Sequence, residues 1–336
     1  MQPPARRFLP AWTTARAPQH YSYAAVLVAV GVGGLAPGAA PWLLGPAVAV
    51  GMVLLGVAHG ACDQFVVPAT HPALAGHRGW YWAGFLGSYL GLAAAVGVLW
   101  WSRPALAVAV FFGLTVWHWG SADAPLARHR LQWVAHSVLR GSLIFVVPLW
   151  HRPTETLDTV NSLLTRAGAA PVTAAALALA AHWLVPVVVA GHLLLWLGYC
   201  GQRQGHLART DALEVLLLTA LLVVLAPILA GGVYFVFWHS LQHVLRMNRL
   251  MAHGAADKPP GLWAEVRFFL RRSAPLLLVS VAGLAVVFGL AWEHGANGSA
   301  LVSLALLAAS VVTLPHALLV TLGLDAARWR QQELAQ

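Results

Sequence analysis

The sequence predicts an all-α protein, a polytopic bundle of membrane-spanning helices. Three observations lead there. Of the 336 residues, 59 % are hydrophobic and only 9 % charged, where an ordinary soluble domain carries about 25 % charged residues. Apolar stretches long enough to cross a bilayer recur from one end of the chain to the other. Sixteen residues are Trp, a side chain that favours the membrane–water interface.

Ten spans follow in order. The first two, residues 22–38 and 41–60, are Ala-, Val- and Gly-rich and are separated only by the turn at Pro37-Gly38. Residues 80–101 and 104–122 form the third and fourth, with Arg103 and Pro104 between them. The fifth, 133–150, follows Arg128 and Arg130, and the sixth, 172–198, is the most uniformly aliphatic. Residues 211–230 and 232–250 give the seventh and eighth, with a turn expected at Gly231-Gly232. The ninth and tenth are 274–293 and 299–322. Residues 22–322 thus make one transmembrane domain between tails at 1–21 and 323–336. The loops at 61–79, 151–171 and 251–273 are too short to fold alone.

The formal charge of +9 does not point to nucleic acid, because the cations sit between the apolar stretches. With the N-terminus inside, sixteen Lys and Arg fall on the cytoplasmic side. Only Arg103, Arg152 and Arg166 fall opposite, and Arg140 lies within a span. This asymmetry places both termini in the cytoplasm, and a bacterial-type inner (cytoplasmic) membrane is the expected location. Cys62 and Cys200 form no CxxC pair and imply neither a disulfide framework nor a thiolate site. The basic N-terminus leads into a span rather than a cleavable signal.

The histidines carry the chemistry. In Trp238-His239-Ser-Leu-Gln-His243 two imidazoles four residues apart share one helix face. A neutral imidazole has a donor and an acceptor to satisfy at membrane depth. A metal ion uses both rings at this spacing, although two hydrogen-bonding struts between helices explain HxxxH alone equally well. His59, in His59-Gly-Ala-Cys-Asp63, and His118, in His118-Trp-Gly-Ser-Ala-Asp123, end spans in the same half of the membrane and tip the balance toward metal. His316, after Pro315, and His136 lie at that level too and are expected around the ligands or in the pocket. Asp63 and Asp123 are placed to accept from a ring N–H or to cap a helix. An all-imidazole set suits Fe(II), Cu or Zn rather than Mg or Ca. No HExxH glutamate accompanies the pair, so redox or oxygen chemistry on a lipid-soluble substrate is favoured over hydrolysis.

These pieces, with Arg140-Gly-Ser-Leu-Ile, Pro148 and His151-Arg-Pro153, occur in one order over roughly residues 55–320. As an ordered set they resemble the Brp/Blh family of bacterial and archaeal β-carotene 15,15′-dioxygenases, membrane proteins that supply retinal to rhodopsins. Ala58 stands where that family favours Pro, Trp119 where Phe is usual and Gln242 where Arg is common. The resemblance implies non-haem Fe(II) held by His59, His118, His239 and His243. With O2 as co-substrate, the central double bond of β-carotene would be cleaved to two retinals. No side chain beyond the metal ligands is assigned to catalysis. Trp117, Trp119, Tyr234, Phe235, Phe237 and Trp238 are expected to line the polyene tunnel.

Other classes remain readable from the residues. A di-iron desaturase needs several His-rich boxes where one HxxxH is present. A b-type haem carrier would use axial His from two spans. A transporter or rhodopsin-assembly partner would use the His as struts or proton relays.

Overall fold

The computed structural model describes residues 19–124, 129–251 and 260–330; residues 1–18 of the N-terminal tail and 331–336 of the C-terminal tail lie outside the described residues. Those described are helical, with no strand among them. The helices are α1 (His20–Leu35), α2 (Ala40–Thr70), α3 (Arg78–Ser102), α4 (Pro104–Asp123), α5 (Arg130–His151) and α6 (Pro153–Arg166). They continue as α7 (Ala174–Gly201), α8 (Gly205–Val224), α9 (Pro227–Leu250), α10 (Leu262–Glu293), α11 (Gly298–Leu324) and α12 (Ala326–Arg330).

Each of the ten expected spans is a helix, and eight are long and apolar enough to cross a membrane: α2, α3, α4, α5, α7, α9, α10 and α11. Helix α1 has only 16 residues. Helix α8 carries Arg209, Asp211 and Glu214 in its first half, charges that lower its apolarity. Several boundaries differ from expectation, and α2 runs on to Thr70, past the expected end at 60. The break before α9 falls at Leu225-Ala226, ahead of Pro227, and Gly231 and Gly232 lie inside the helix. The missing N–H of Pro costs nothing in a helix's first turn, so Pro227 starts a helix better than the glycine pair ends one. The connection at 151–171 contains α6, an amphipathic helix that also begins on Pro. Helix α10 begins at Leu262, a dozen residues before its apolar part.

Burial separates the helices into an inner and an outer set. In α5 and α9, 61 % of the most apolar window is buried, against 6 % in α3, α7 and α10, which turn Leu and Val outward as a lipid-facing surface requires. Helix α9 divides two cores. Tyr234 and Trp238 pack with α1, α5 and α8, while Val236, Leu241, Val244 and Leu245 pack with α2, α10 and α11.

Small residues set two close crossings. A Cβ on Gly120 of α4 would strike the Ser137 carbonyl of α5, and one on Gly141 of α5 the Val116 carbonyl of α4. Between α2 and α9, a Cβ on Gly51 would run into Val236, and one on Gly56 would lie 2.8 Å from the Phe235 ring. Without water to drive association, close backbone approach supplies the dispersion that joins helices in a membrane. Both crossings lie within a few residues of a histidine.

Candidate metal centre

Three helices leave α geometry beside these histidines. A π-helical stretch over Met52–Val57 ends two residues before His59. A second, Tyr234–Ser240, contains His239. A third, Val320–Leu324, begins four residues after His316. Each π turn inserts a residue and rotates the helix beyond it, a feature concentrated at functional sites. Pro315 precedes His316 and lies inside its helix.

His59, His118, His239, His243 and His316 come together from α2, α4, α9 and α11. All five are at most 7 % exposed. Ring centroids are 4.7 Å apart for His118–His316, 4.8 Å for His59–His316, 4.9 Å for His118–His239 and 5.3 Å for both His59–His243 and His243–His316. His59–His239 is 5.8 Å, and His118–His243 and His239–His243 are each 6.5 Å. The HxxxH pair is stacked, with 24° between ring planes.

The rings do not satisfy one another. His118, His239 and His243 leave both ring nitrogens buried without a hydrogen-bond partner, and His316 leaves Nε2 so. Only His59 and His316 are tethered through a ring nitrogen. His59 Nδ1 lies 3.3 Å from the Leu55 carbonyl and 3.4 Å from the Ser240 hydroxyl. His316 Nδ1 lies 2.9 and 2.8 Å from the two oxygens of Asp63, and the Tyr89 hydroxyl donates to Asp63 Oδ2 at 3.2 Å.

Seven stranded nitrogens at roughly 1–3 kcal/mol each would consume most of the 5–15 kcal/mol that typically separates folded from unfolded. A cation that takes one lone pair from each ring removes that cost for four of them, one each on His118, His239, His243 and His316. Eight of the ten ring pairs lie within reach of one ion. At a metal–nitrogen distance of about 2.1 Å, two imidazole centroids lie roughly 4.6 Å apart when at right angles and at most about 6.5 Å apart. Candidate ligand atoms of His59, His118 and His316, and likewise of Asp63, His243 and His316, lie within 4.8 Å of one another.

The other expected site residues divide. Phe235 stacks on His239 (5.9 Å, 18°) and meets His59 edge-on at 5.6 Å. Trp119 lies 5.6 Å from His239, 5.5 Å from Phe235 and 5.2 Å from Tyr234. Tyr234 donates to Asp123 Oδ2 at 2.7 Å, so Asp123 braces an aromatic wall. Phe237 packs at the rim of both cores. Trp238 instead packs beside Tyr23 at 5.4 Å, in the core that α9 shares with α1, α5 and α8. Trp117 donates to the Thr321 hydroxyl at 3.1 Å and packs with Trp133 and Trp329.

His136 is not brought to the cluster. Its Nδ1 lies 2.8 Å from the Tyr199 hydroxyl and its Nε2 2.8 Å from Asp211. It belongs to a second buried polar group, in which Arg140 bridges Asp211 and Glu214, the latter at 2.7 Å. Trp196 donates to Asp211 at 2.6 Å and Tyr23 to Glu214 at 2.5 Å. This group ties α1, α5, α7 and α8 together.

Sequence reasoning also missed the segment after His316. Asp325 pairs with Arg246, on the helix of His239 and His243. Arg328 donates to the carbonyls of Ser121, at 2.6 Å, and Ala124, at 3.3 Å, closing the helix of His118. The i,i+3 spacing of Asp325 and Arg328 was the available signal, but nothing in the sequence told which helices they would join.

The chain resembles known proteins over most of its length. A family model described as beta-carotene 15,15′-dioxygenase matches residues 50–323. The chain is 29 % identical over 299 residues to a probable beta-carotene 15,15′-dioxygenase Blh of Halobacterium salinarum, covering 80 % of this chain and 81 % of that one. It is 26 % identical over 215 residues to a beta-carotene 15,15′-dioxygenase of an uncultured marine bacterium, covering 62 % and 70 %. No solved structure matches the chain. The match spans every helix that contributes an imidazole, and the chain belongs to the β-carotene 15,15′-dioxygenase family.

Proposed function

We propose that this protein cleaves the central 15,15′ double bond of β-carotene, or of a closely related carotenoid, with O2 to give two retinals. His59, His118, His239 and His243 would hold Fe(II). The observation that carries this reading is the set of buried imidazoles converging from separate helices with their nitrogens unpaired. Bound there, the iron would supply the redox chemistry that lets O2 react with an alkene.

The protein's own groups have a limited task. The reaction breaks one C=C bond and one O–O bond and forms two C=O bonds, so no proton enters or leaves. That agrees with the absence of a free carboxylate at the cluster among the described residues, since Asp63 is engaged by His316 and Tyr89. Neutral imidazoles hold the cation without adding negative charge. Phe235, Trp119 and Tyr234 offer ring faces to a flat polyene and exclude water. A substrate dissolved in the bilayer reaches such a site between helices, and the retinals leave by the same solvent, free or toward a rhodopsin. The arginine asymmetry supports a cytoplasmic membrane with the cluster in its cytoplasmic half.

The test is turnover by purified protein in detergent. Protein stripped of metal and reloaded with Fe(II) should convert β-carotene to retinal at a stoichiometry near two, and the stripped protein should not. Equal activity with and without Fe(II), or products of eccentric cleavage, would refute the reading.

A further inference from the structure

We propose that His316 is a fifth protein ligand, aimed by Asp63. The inference rests on the reading of the cluster as a metal centre and goes beyond the four-histidine set.

The pattern of ring contacts carries it. Among the five rings, contacts within 6.5 Å join every pair except His59–His118 and His239–His316. Those two pairs therefore face each other across the cluster. Around the cluster the rings follow in the order His59, His239, His118, His316, at 5.8, 4.9, 4.7 and 4.8 Å. His316 has three of the other rings within 5.3 Å, those of His118, His59 and His243, and no other ring of the five has as many. It is the most central of the five imidazoles.

His316 is also the ring whose outer nitrogen is most firmly held. Both Asp63 oxygens accept from Nδ1, and Tyr89 steadies the carboxylate. This fixes the proton on Nδ1 and leaves the Nε2 lone pair facing inward, as carboxylate-bound ligand histidines are arranged. A histidine that served only as a strut would have a partner for Nε2, and at 5 % exposure His316 has none.

On helix α9, His243 and Phe235 flank His239, one turn on either side, at 24° and 18° to its ring plane. Phe235 also meets His59, and Trp119 lies beside it. Hydrocarbon rings thus wall the cluster on this side.

The experiment is Co(II) titration of stripped, detergent-purified protein, read by visible absorption and by metal content after gel filtration. The parent protein, His316→Ala and Asp63→Asn are compared, with thermal unfolding to identify folded material. The expected result is that His316→Ala binds Co(II) at least 100-fold more weakly, with more intense d–d bands reporting a lower coordination number. Added free imidazole, refilling the vacated space, should restore the parent spectrum. Asp63→Asn should weaken binding about 10- to 100-fold while keeping the parent band shape. Parent spectrum and affinity in His316→Ala would overturn the proposal and leave the four-histidine centre standing. No stoichiometric Co(II) or Fe(II) in the parent would overturn the metal reading itself. If His316→Ala is not folded, His316→Gln is read in its place, with the same two outcomes.

Discussion

Gly120 on α4 and Gly141 on α5 lie where the two helices touch backbone to backbone, each facing a carbonyl of the other helix. The crossing holds His118, two residues away, against the centre of the bundle. Gly120→Ala should therefore push the helices apart, cost on the order of 1–3 kcal/mol by overpacking, and weaken metal binding more than tenfold. Gly113→Ala, on the same helix with open space around it, should be neutral. Thermal unfolding and metal content of the two variants check this; equal behaviour would show that the close contact does not position His118.

Much of the centre was legible because its constraints are local. The i,i+4 spacing of His239 and His243 stacks their rings wherever the helix goes, and a Gly behind His118 signals a neighbour's close approach. Depth along a span put His59, His118 and His316 at one level. Long-range pairing was not legible. His316 was expected near the ligands, yet the sequence could not tell that Asp63, 253 residues away, fixes its ring. His136 lies at a compatible depth but turns to the side of its helix that faces Asp211. Depth alone cannot distinguish faces, and the same ambiguity put Trp238 among the tunnel residues.

That distinction gives the second prediction. Trp238 is buried beside Tyr23, with no ring contact to the histidine cluster, whereas Trp119 lies 5.6 Å from His239. Trp238→Ala should cost about 3–5 kcal/mol of stability, with turnover per folded, loaded molecule little changed. Trp119→Ala should keep its metal and lose turnover at least tenfold. Unfolding curves beside single-turnover rates separate the two, and a reversed pattern would place the polyene against Trp238 instead.

Arg140, Asp211 and Glu214 make the largest buried charge network among the described residues, outside the metal centre. Removing one partner from such a group leaves uncompensated charge at membrane depth. Arg140→Met should cost roughly 3–5 kcal/mol, and pairing it with Asp211→Leu and Glu214→Leu should recover much of the loss. Graded denaturation in mixed micelles measures both. A benign Arg140→Met would mean that the carboxylates are already neutral or hydrated.

The C-terminal clamp gives the fourth. Asp325→Ala frees Arg246, one turn beyond His243, and should cost about 3 kcal/mol. Arg328→Ala removes two bonds to the end of α4. Either variant should raise the dissociation constant for Fe(II) several-fold although neither residue touches the cluster. Metal titration of folded protein checks it, and unchanged affinity would confine the clamp to stability.

The central claim, that these imidazoles hold the metal that splits β-carotene, is tested most directly in cells engineered to accumulate β-carotene. Expression of the parent protein should bleach the cells and yield extractable retinal, and His239→Ala, inserted at an equal level, should leave them orange. Retinal formed equally by both would contradict the role of the cluster. Unchanged pigment with a stably inserted parent protein would contradict the substrate.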